Sequence, residues 1–497
     1  MKILAWLFFR QPETGWRRHL ISASIALTAV AFAVLYYNLF TVGSRQVVGG
    51  HPQIALEQAL VSNFCGKRGY LSPNIDGGGR FFQRDKWPPD QTFSEAIVAG
   101  YGAIFRFCEK DLQRFLNSEN SLSLLLSALL LLPPDDSANT LAVKLILFEC
   151  TVLFLALYFL GLFGTGLLPL GFISMATVKL LSVQPTVISQ YPMMSVLLLF
   201  SSALLALIWP AIDRRKPYVL ALAGVGVGIV LAFVYNWRTS YGLIMAVQLA
   251  IIFFIAALKY YRQDRIFRKI GAISGAVFIG FFLFQAALIW PLEKDIPYTY
   301  SHHPIWHPIV LGLGALPNSL AEREGIKWDD SAGWEIAKRV DPNVAYLGPT
   351  YDPALRSYYF QLWKRYPWEM VGIYSKAILE TSRSMAFPLL GKLAQIVIRN
   401  GFVWFSILLS IAIGGYFLLN LSPGLAMFII VMSAAIFGVS LEAAVVMPTF
   451  TLAYQGSLVV GFEALLAALI VFAFARAILT GPESKRSGAA GNRLTAE

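Results

Sequence analysis

The chain has 497 residues, of which 57% are hydrophobic, 14% aromatic and only 14% charged. Soluble domains run nearer ~45–50% apolar and ~25% charged, so much of this surface is expected to face lipid, which argues against a soluble multi-domain protein. Lys plus Arg number 40 against 29 Asp plus Glu, a formal +11; in a membrane chain such an excess collects in cytoplasmic loops, and nucleic acid is set aside as a partner.

Lys2, Arg10, Arg17 and Arg18 precede an apolar run at about 19–43. It exceeds the ~7–15 residues of a cleavable signal core and can span a ~30 Å hydrocarbon layer, so it reads as an uncleaved first helix. Further stretches of spanning length fall near 140–163, 165–183, 192–212, 217–236, 240–258, 270–291, 400–420, 423–441 and 455–475. The fold class is therefore an all-α polytopic membrane protein of about ten transmembrane helices.

Basic clusters test that count. The amino-terminal basics, Arg214, Arg215 and Lys216, then Lys259, Arg262, Arg265, Arg268 and Lys269, and finally the polar tail after Arg476 all fall on one side. The positive-inside rule makes that side cytoplasmic, with both termini there, as in a bacterial inner membrane. The segment 122–132 is apolar but ends at Pro133 and Pro134 after about a dozen residues; it reads as a juxtamembrane element, because a full span there would invert every later loop.

Two long polar stretches, about 44–120 and about 292–399, then lie outside. The chain divides into an amino-terminal membrane domain carrying the first loop (1–291), the second loop region (292–399), and carboxy-terminal helices with a tail (400–497). Cys65 and Cys108 fall in the first loop and Cys150 in a span. A disulfide is permitted in an oxidising periplasm, and two unpaired small residues fit equally.

Charges within spans are functional candidates. Lys144, Lys179 and Arg238 come from different spans but share one outer-leaflet depth, which suits a lipid phosphate; snorkelling of long cationic stems to water is the alternative for each. Glu149 and Glu463 lie deeper, and a hydrogen bond to a neighbouring helix is the preferred role.

The first loop carries YLSPNIDGGGRFFQRDKWPPDQTF. Asp76 precedes three glycines and is followed by Arg80, Arg84, Asp85 and Lys86, so one carboxylate sits on a closely approachable backbone beside cations that keep it ionised. A turn Asp before glycine gives the same pattern. The second loop opens with SHHPIWHPIVLGLGALPN, which holds His302, His303 and His307, three of the chain's five histidines. Pro304 and Pro308 break a helix through them and weaken a two-histidine metal site. Histidine, tryptophan and proline at a membrane boundary suit a sugar- or phosphate-binding rim, as they suit an aromatic girdle without a ligand. GIKWDDSAGWEIAKRVDPN then reads as a loop and helix with Trp328, Asp329 and Asp330 at its start, where acidic residues cap. PTYDPALRSYYFQLWKRYPWEMVGIYSKAILETSRS reads as two amphipathic helices broken at Pro367, lying along the membrane surface.

The long loop after the first span, the broken outer turn QPTVISQYPMMSVLLLFSSALL with Pro185, Gln190, Tyr191 and Pro192, and the late segment LWKRYPWEMVGIYSKAIL together resemble the polytopic GT-C glycosyltransferases. That resemblance implies a polyprenyl-phosphate-linked sugar as donor, an envelope glycan, lipid or protein as acceptor, and inversion at the anomeric carbon. It implies an acidic base in the first outer loop, matched best by Asp76, with Asp85 and Asp90 in reserve. The donor phosphate would meet Lys144, Lys179, Arg238 and Arg80, and His302, His303 and His307 would line the rim. The paired Asp-Asp or Asp-Glu signature of some members is lacking. No organic cofactor is implied, and a divalent metal is left open, since spacing alone does not bring Asp76, Glu149 and the histidines together.

Two other schemes compete. An O-antigen ligase or polymerase would rely on late-loop His303, His307, Arg356 and Arg365. A lipid-linked saccharide transporter would show paired halves, midplane charges and small outer loops, whereas the outer loops here are large.

Overall fold

The computed structural model describes residues 15–40, 59, 63, 71–73, 112–115, 120–132, 138–167, 170–171, 173–174, 190–237, 239–260, 262–289, 298–299, 305–346, 348, 350–384 and 423–446. These residues are helical almost throughout, as the composition predicts.

The long helices are α1 (Trp16–Phe40), α3 (Ala138–Leu162), α4 (Gln190–Arg214), α5 (Pro217–Trp237), α6 (Thr239–Tyr260), α7 (Asp264–Ile289) and α13 (Pro423–Val446). Their apolar residues run around the whole helix, which suits burial in lipid and neighbouring helices. Among the described residues, Val143–Leu162, Pro217–Asn236, Tyr241–Tyr260 and Ile266–Ala287 are long and apolar enough to cross a membrane by length and composition. The expected spans at 400–420 and 455–475 lie outside the described residues, as does most of 165–183.

Helix α5 packs on α7 through small residues. A Cβ at Gly224 would sit 2.9 Å from the Ile273 carbonyl oxygen, while one at Gly228 would strike the Val277 carbonyl and one at Gly280 the Val225 carbonyl. Gly224 and Gly228 are four apart, as are Ala276 and Gly280, so each helix offers a small-xxx-small face that lets the backbones touch. On α6, Gln248 is fully buried and its Nε2 donates to Ser202 Oγ on α4 and to the Val431 carbonyl on α13, both at 2.8 Å. That side chain pins three helices from distant parts of the chain.

Basic residues tie helix ends together. Arg18 Nε donates to the Leu162 carbonyl at the end of α3 (3.1 Å), and Lys269 Nζ donates to the Arg215 carbonyl between α4 and α5 (3.0 Å). Carbonyls at helix carboxy ends lack intrahelical donors and carry the negative end of the dipole, so cations suit them.

The short apolar element expected at 122–132 is helix α2 (Asn120–Leu130), packed on α3 and α5 with Leu126 fully buried. Before it, β1 (Leu71–Pro73) pairs antiparallel with β2 (Leu112–Phe115). Strand β2 pairs in parallel with β3 (Tyr298–Thr299), which follows α7, in the order β1-β2-β3. The strands are only 3, 4 and 2 residues long and leave the all-α class of the described residues unchanged. Pairing with one another satisfies backbone groups of these short segments.

The remaining described elements are α8 (Trp306–Gly312), α9 (Ser319–Glu324), α10 (Asp330–Val340), α11 (Tyr351–Arg365) and α12 (Pro367–Ser384). They enclose a second core that includes Val310, Leu320, Ile336, Tyr351, Leu355 and Met370. Helices α8 and α12 pack against α13, which joins this unit to the bundle. The break between α11 and α12 falls at Tyr366 and Pro367, as the proline predicts.

Candidate functional site

His307 lies in the first turn of α8, where Pro308 is tolerated because its missing N–H needs no partner. Helix α8 starts at Trp306, and His303, four residues before His307, lies outside the described residues. The imidazole is 7% exposed, within the second core. Its Nδ1 shares a 2.7 Å hydrogen bond with the Tyr351 hydroxyl, and its Nε2 lies 3.0 Å from Asp330 Oδ1.

The order of donors follows from chemistry. A carboxylate accepts, so Nε2 carries hydrogen toward Asp330. In the neutral imidazole Nδ1 is then the acceptor and the Tyr351 hydroxyl the donor; burial pushes the Tyr351 phenol well above its usual range, helped by Tyr346, Asp330 and Asp352. The result is a chain from the core phenol, through the imidazole, to a carboxylate whose side chain is 79% exposed.

The local sequence frees Asp330 for this contact. Asp329 is the amino-terminal cap of α10: its Oδ1 accepts from the Ser331 amide and hydroxyl, both at 2.9 Å, and these bonds hold its pKa below the ordinary value. Asp330, one position on, turns to His307. Gly333 makes room, since a Cβ there would sit 2.8 Å from the imidazole and from the Tyr351 hydroxyl. Asp352, in the first turn of α11, accepts from the Trp306 amide at 2.9 Å and fixes the start of α8.

Aromatic rings surround the chain. Tyr346 meets both His307 and Tyr351, at centroid separations of 6.4 and 5.5 Å, and touches Trp334 at 6.2 Å. Burial raises the Tyr346 pKa, with a smaller contribution from Asp330. The Trp334 indole donates to the Val344 carbonyl (3.2 Å), and the Lys338 ammonium lies 3.5 Å from its ring centroid.

Other sequence-derived candidates fall as follows. Lys144 is buried in α3 and its Nζ donates to the Leu132 carbonyl just past α2, so it closes the end of that short helix. Glu149 is buried one turn deeper. Arg356 and Arg365 are exposed on α11. Asp76, Arg80, Asp85, Asp90, Lys179, Arg238, His302, His303 and Glu463 lie outside the described residues, as do Cys65 and Cys108. Among the described residues no group of three or more His, Cys, Asp or Glu side chains converges on a possible metal position.

Sequence reading singled out His307 but missed Tyr351, Tyr346 and the role of Asp330. Two adjacent acids at a helix start signal that one is spare, because a single residue caps. Compared with protein-family models, with curated proteins and with solved structures, the chain matches none. The apolar helices mark it as a helical membrane protein, and its late polar segment forms a helical unit built around an Asp–His–Tyr chain.

Proposed function

We propose that the protein is a membrane glycosyltransferase of the GT-C type, moving a sugar from a polyprenyl-phosphate donor to an acceptor hydroxyl at the outer face of a bacterial inner membrane. In this reading about ten helices cross the bilayer, both termini are cytoplasmic, and both long polar segments are periplasmic. The single observation that carries the reading is the pairing of Arg114 and Phe115 with Tyr298 and Thr299. It ties the first polar segment to the second, so that an acid from one and the Asp330–His307 unit from the other can serve one cleft.

The chemistry is a single displacement. Asp76 takes the proton from the acceptor hydroxyl, whose oxygen attacks the anomeric carbon. The bond from that carbon to the phosphate oxygen breaks, the lipid phosphate leaves with the electron pair, and the anomeric centre inverts. The phosphate is held by Lys144, Lys179, Arg238 and Arg80, whose charge-assisted hydrogen bonds stabilise the leaving group; Lys144 donates one N–H to the Leu132 carbonyl, and an ammonium carries three.

The test is turnover by the purified chain in lipid nanodiscs given polyprenyl-phosphate sugars. The reading expects release of polyprenyl phosphate, and loss of transfer in Asp76→Asn with unchanged folding; full transfer by that variant excludes Asp76 as the base. A second reading, a ligase relying on late-loop histidines, is favoured by the held geometry of His307. Under that scheme His307→Ala or His303→Ala is fatal while Asp76→Asn is not.

A further inference from the structure

Asp330, Trp334 and Lys338 recur every four residues along α10, so one helix face presents an acceptor, a flat apolar plate and a donor. The Asp330 side chain is 79% exposed yet held: Oδ1 faces His307 Nε2, and Oδ2 has no hydrogen-bond partner among the described residues. Trp334 is 37% exposed even with the Lys338 ammonium over its ring, and Tyr346, beside it, is 41% exposed. Helix capping explains none of these, since Asp329 caps α10. Core packing does not either, since Ala332, Gly333, Ile336 and Ala337 supply the buried face.

A pyranose has an apolar C–H face and a rim of hydroxyls that donate and accept. We propose that Asp330, Trp334 and Tyr346 form a saccharide-binding subsite for the acceptor, which rests on the transferase reading. Asp330 Oδ2 accepts from a sugar hydroxyl, the indole covers the C–H face where the Lys338 ammonium now lies, and that ammonium moves to the rim as a donor. His307 is a positioning residue: its imidazole, held by Tyr351, fixes the carboxylate, so that less side-chain freedom is lost when the sugar binds.

The test is saturation-transfer difference NMR on the full chain in nanodiscs, with the methyl pyranosides of glucose, galactose, mannose, rhamnose and N-acetylglucosamine as probes. At least one is expected to bind, and Asp330→Asn and Trp334→Ala should each weaken it by about tenfold or more, the worth of one charge-assisted hydrogen bond or one stacked ring. His307→Gln, which keeps a donor at the Nε2 position, should retain more binding than His307→Leu. No binding to the wild type, or wild-type binding in either the Asp330 or the Trp334 variant, overturns the subsite. Donor consumption is followed separately: a chain that binds pyranosides but consumes no polyprenyl-phosphate sugar keeps the subsite and loses the transferase reading. A chain that transfers sugar equally well in both variants keeps the transferase and loses the subsite.

Discussion

Arg114 stands opposite Tyr298 in the parallel ladder of β2 and β3, although helices α2 to α7 separate them in the chain. A ladder this short cannot by itself offset the entropy of closing so long a loop. The bundle must already bring the two ends together: α2, which follows β2, packs on α5, and α5 packs on α7, which precedes β3. Packing within the helical bundle therefore sets which of these segments meet.

That packing depends on the α5–α7 interface. Gly228→Leu or Gly280→Leu forces side-chain carbon into the facing carbonyl and should destabilise the protein by about 1–3 kcal/mol or more. Gly226 meets nothing within 4 Å, so Gly226→Ala should be close to neutral. Thermal unfolding in detergent compares the three.

Gly333→Ala should act on the site rather than on the bundle. The added methyl sits 2.8 Å from His307 and from the Tyr351 hydroxyl, so the imidazole must move away from Asp330. A cost of about 1–3 kcal/mol is expected. Chemical-shift changes confined to His307, Asp330 and Tyr351 would check that the effect is local.

Asn318 both opens α9 and closes the turn before it. Its Oδ1 accepts from the Ala321 amide, and its Nδ2 donates to the Leu313 and Leu316 carbonyls, each at 2.8 Å. Asn318→Ala should cost about 0.5–2 kcal/mol, and Asn318→Asp, which keeps only the cap acceptor, should fall between that variant and the wild type. Hydrogen exchange at the Ala321 amide reports the cap directly.

Tyr351 and Tyr358 are both held above the ordinary tyrosine pKa of 10.0, each mainly by burial, with the Glu324 hydrogen bond adding to the shift of Tyr358. Below that pKa the phenols are protonated folded and unfolded alike, and their contribution is fully present. Above it the unfolded chain releases the protons first, so stability falls with rising pH, by up to about 1.4 kcal/mol per unit for each tyrosine. Melting curves taken upward from pH 9 should show this loss, shallower in Tyr358→Phe.

Lys144→Met tests the cation that the sequence offers for a lipid phosphate. Removing the hydrogen bond to the Leu132 carbonyl should destabilise the α2–α3 corner by about 1–3 kcal/mol, measured by thermal unfolding. Donor affinity should fall about tenfold as well, the worth of one charge-assisted hydrogen bond to the phosphate, and affinity held within about twofold would leave Lys144 the corner alone.

The long helices were legible because unbroken apolar stretches of spanning length have few other stable forms. The start of α10 and the break at Pro367 were legible because capping and proline geometry act within a few residues. The strand ladder was not: Tyr298–Thr299 carries no period, and its partner is set by the bundle. Nor was the role of His307, whose partners Asp330 and Tyr351 come from two later helices. A buried histidine and a rim histidine read alike until packing decides between them.

The most direct test is the side of the membrane on which the two polar segments lie. Asp76→Cys, Arg114→Cys, Tyr298→Cys and His303→Cys, each made singly in a chain with its own three cysteines replaced by serine, are treated in intact cells with a membrane-impermeant maleimide. All four positions should label without permeabilisation. Labelling of 76 and 114 from one side and of 298 and 303 only from the other would contradict the shared outer site.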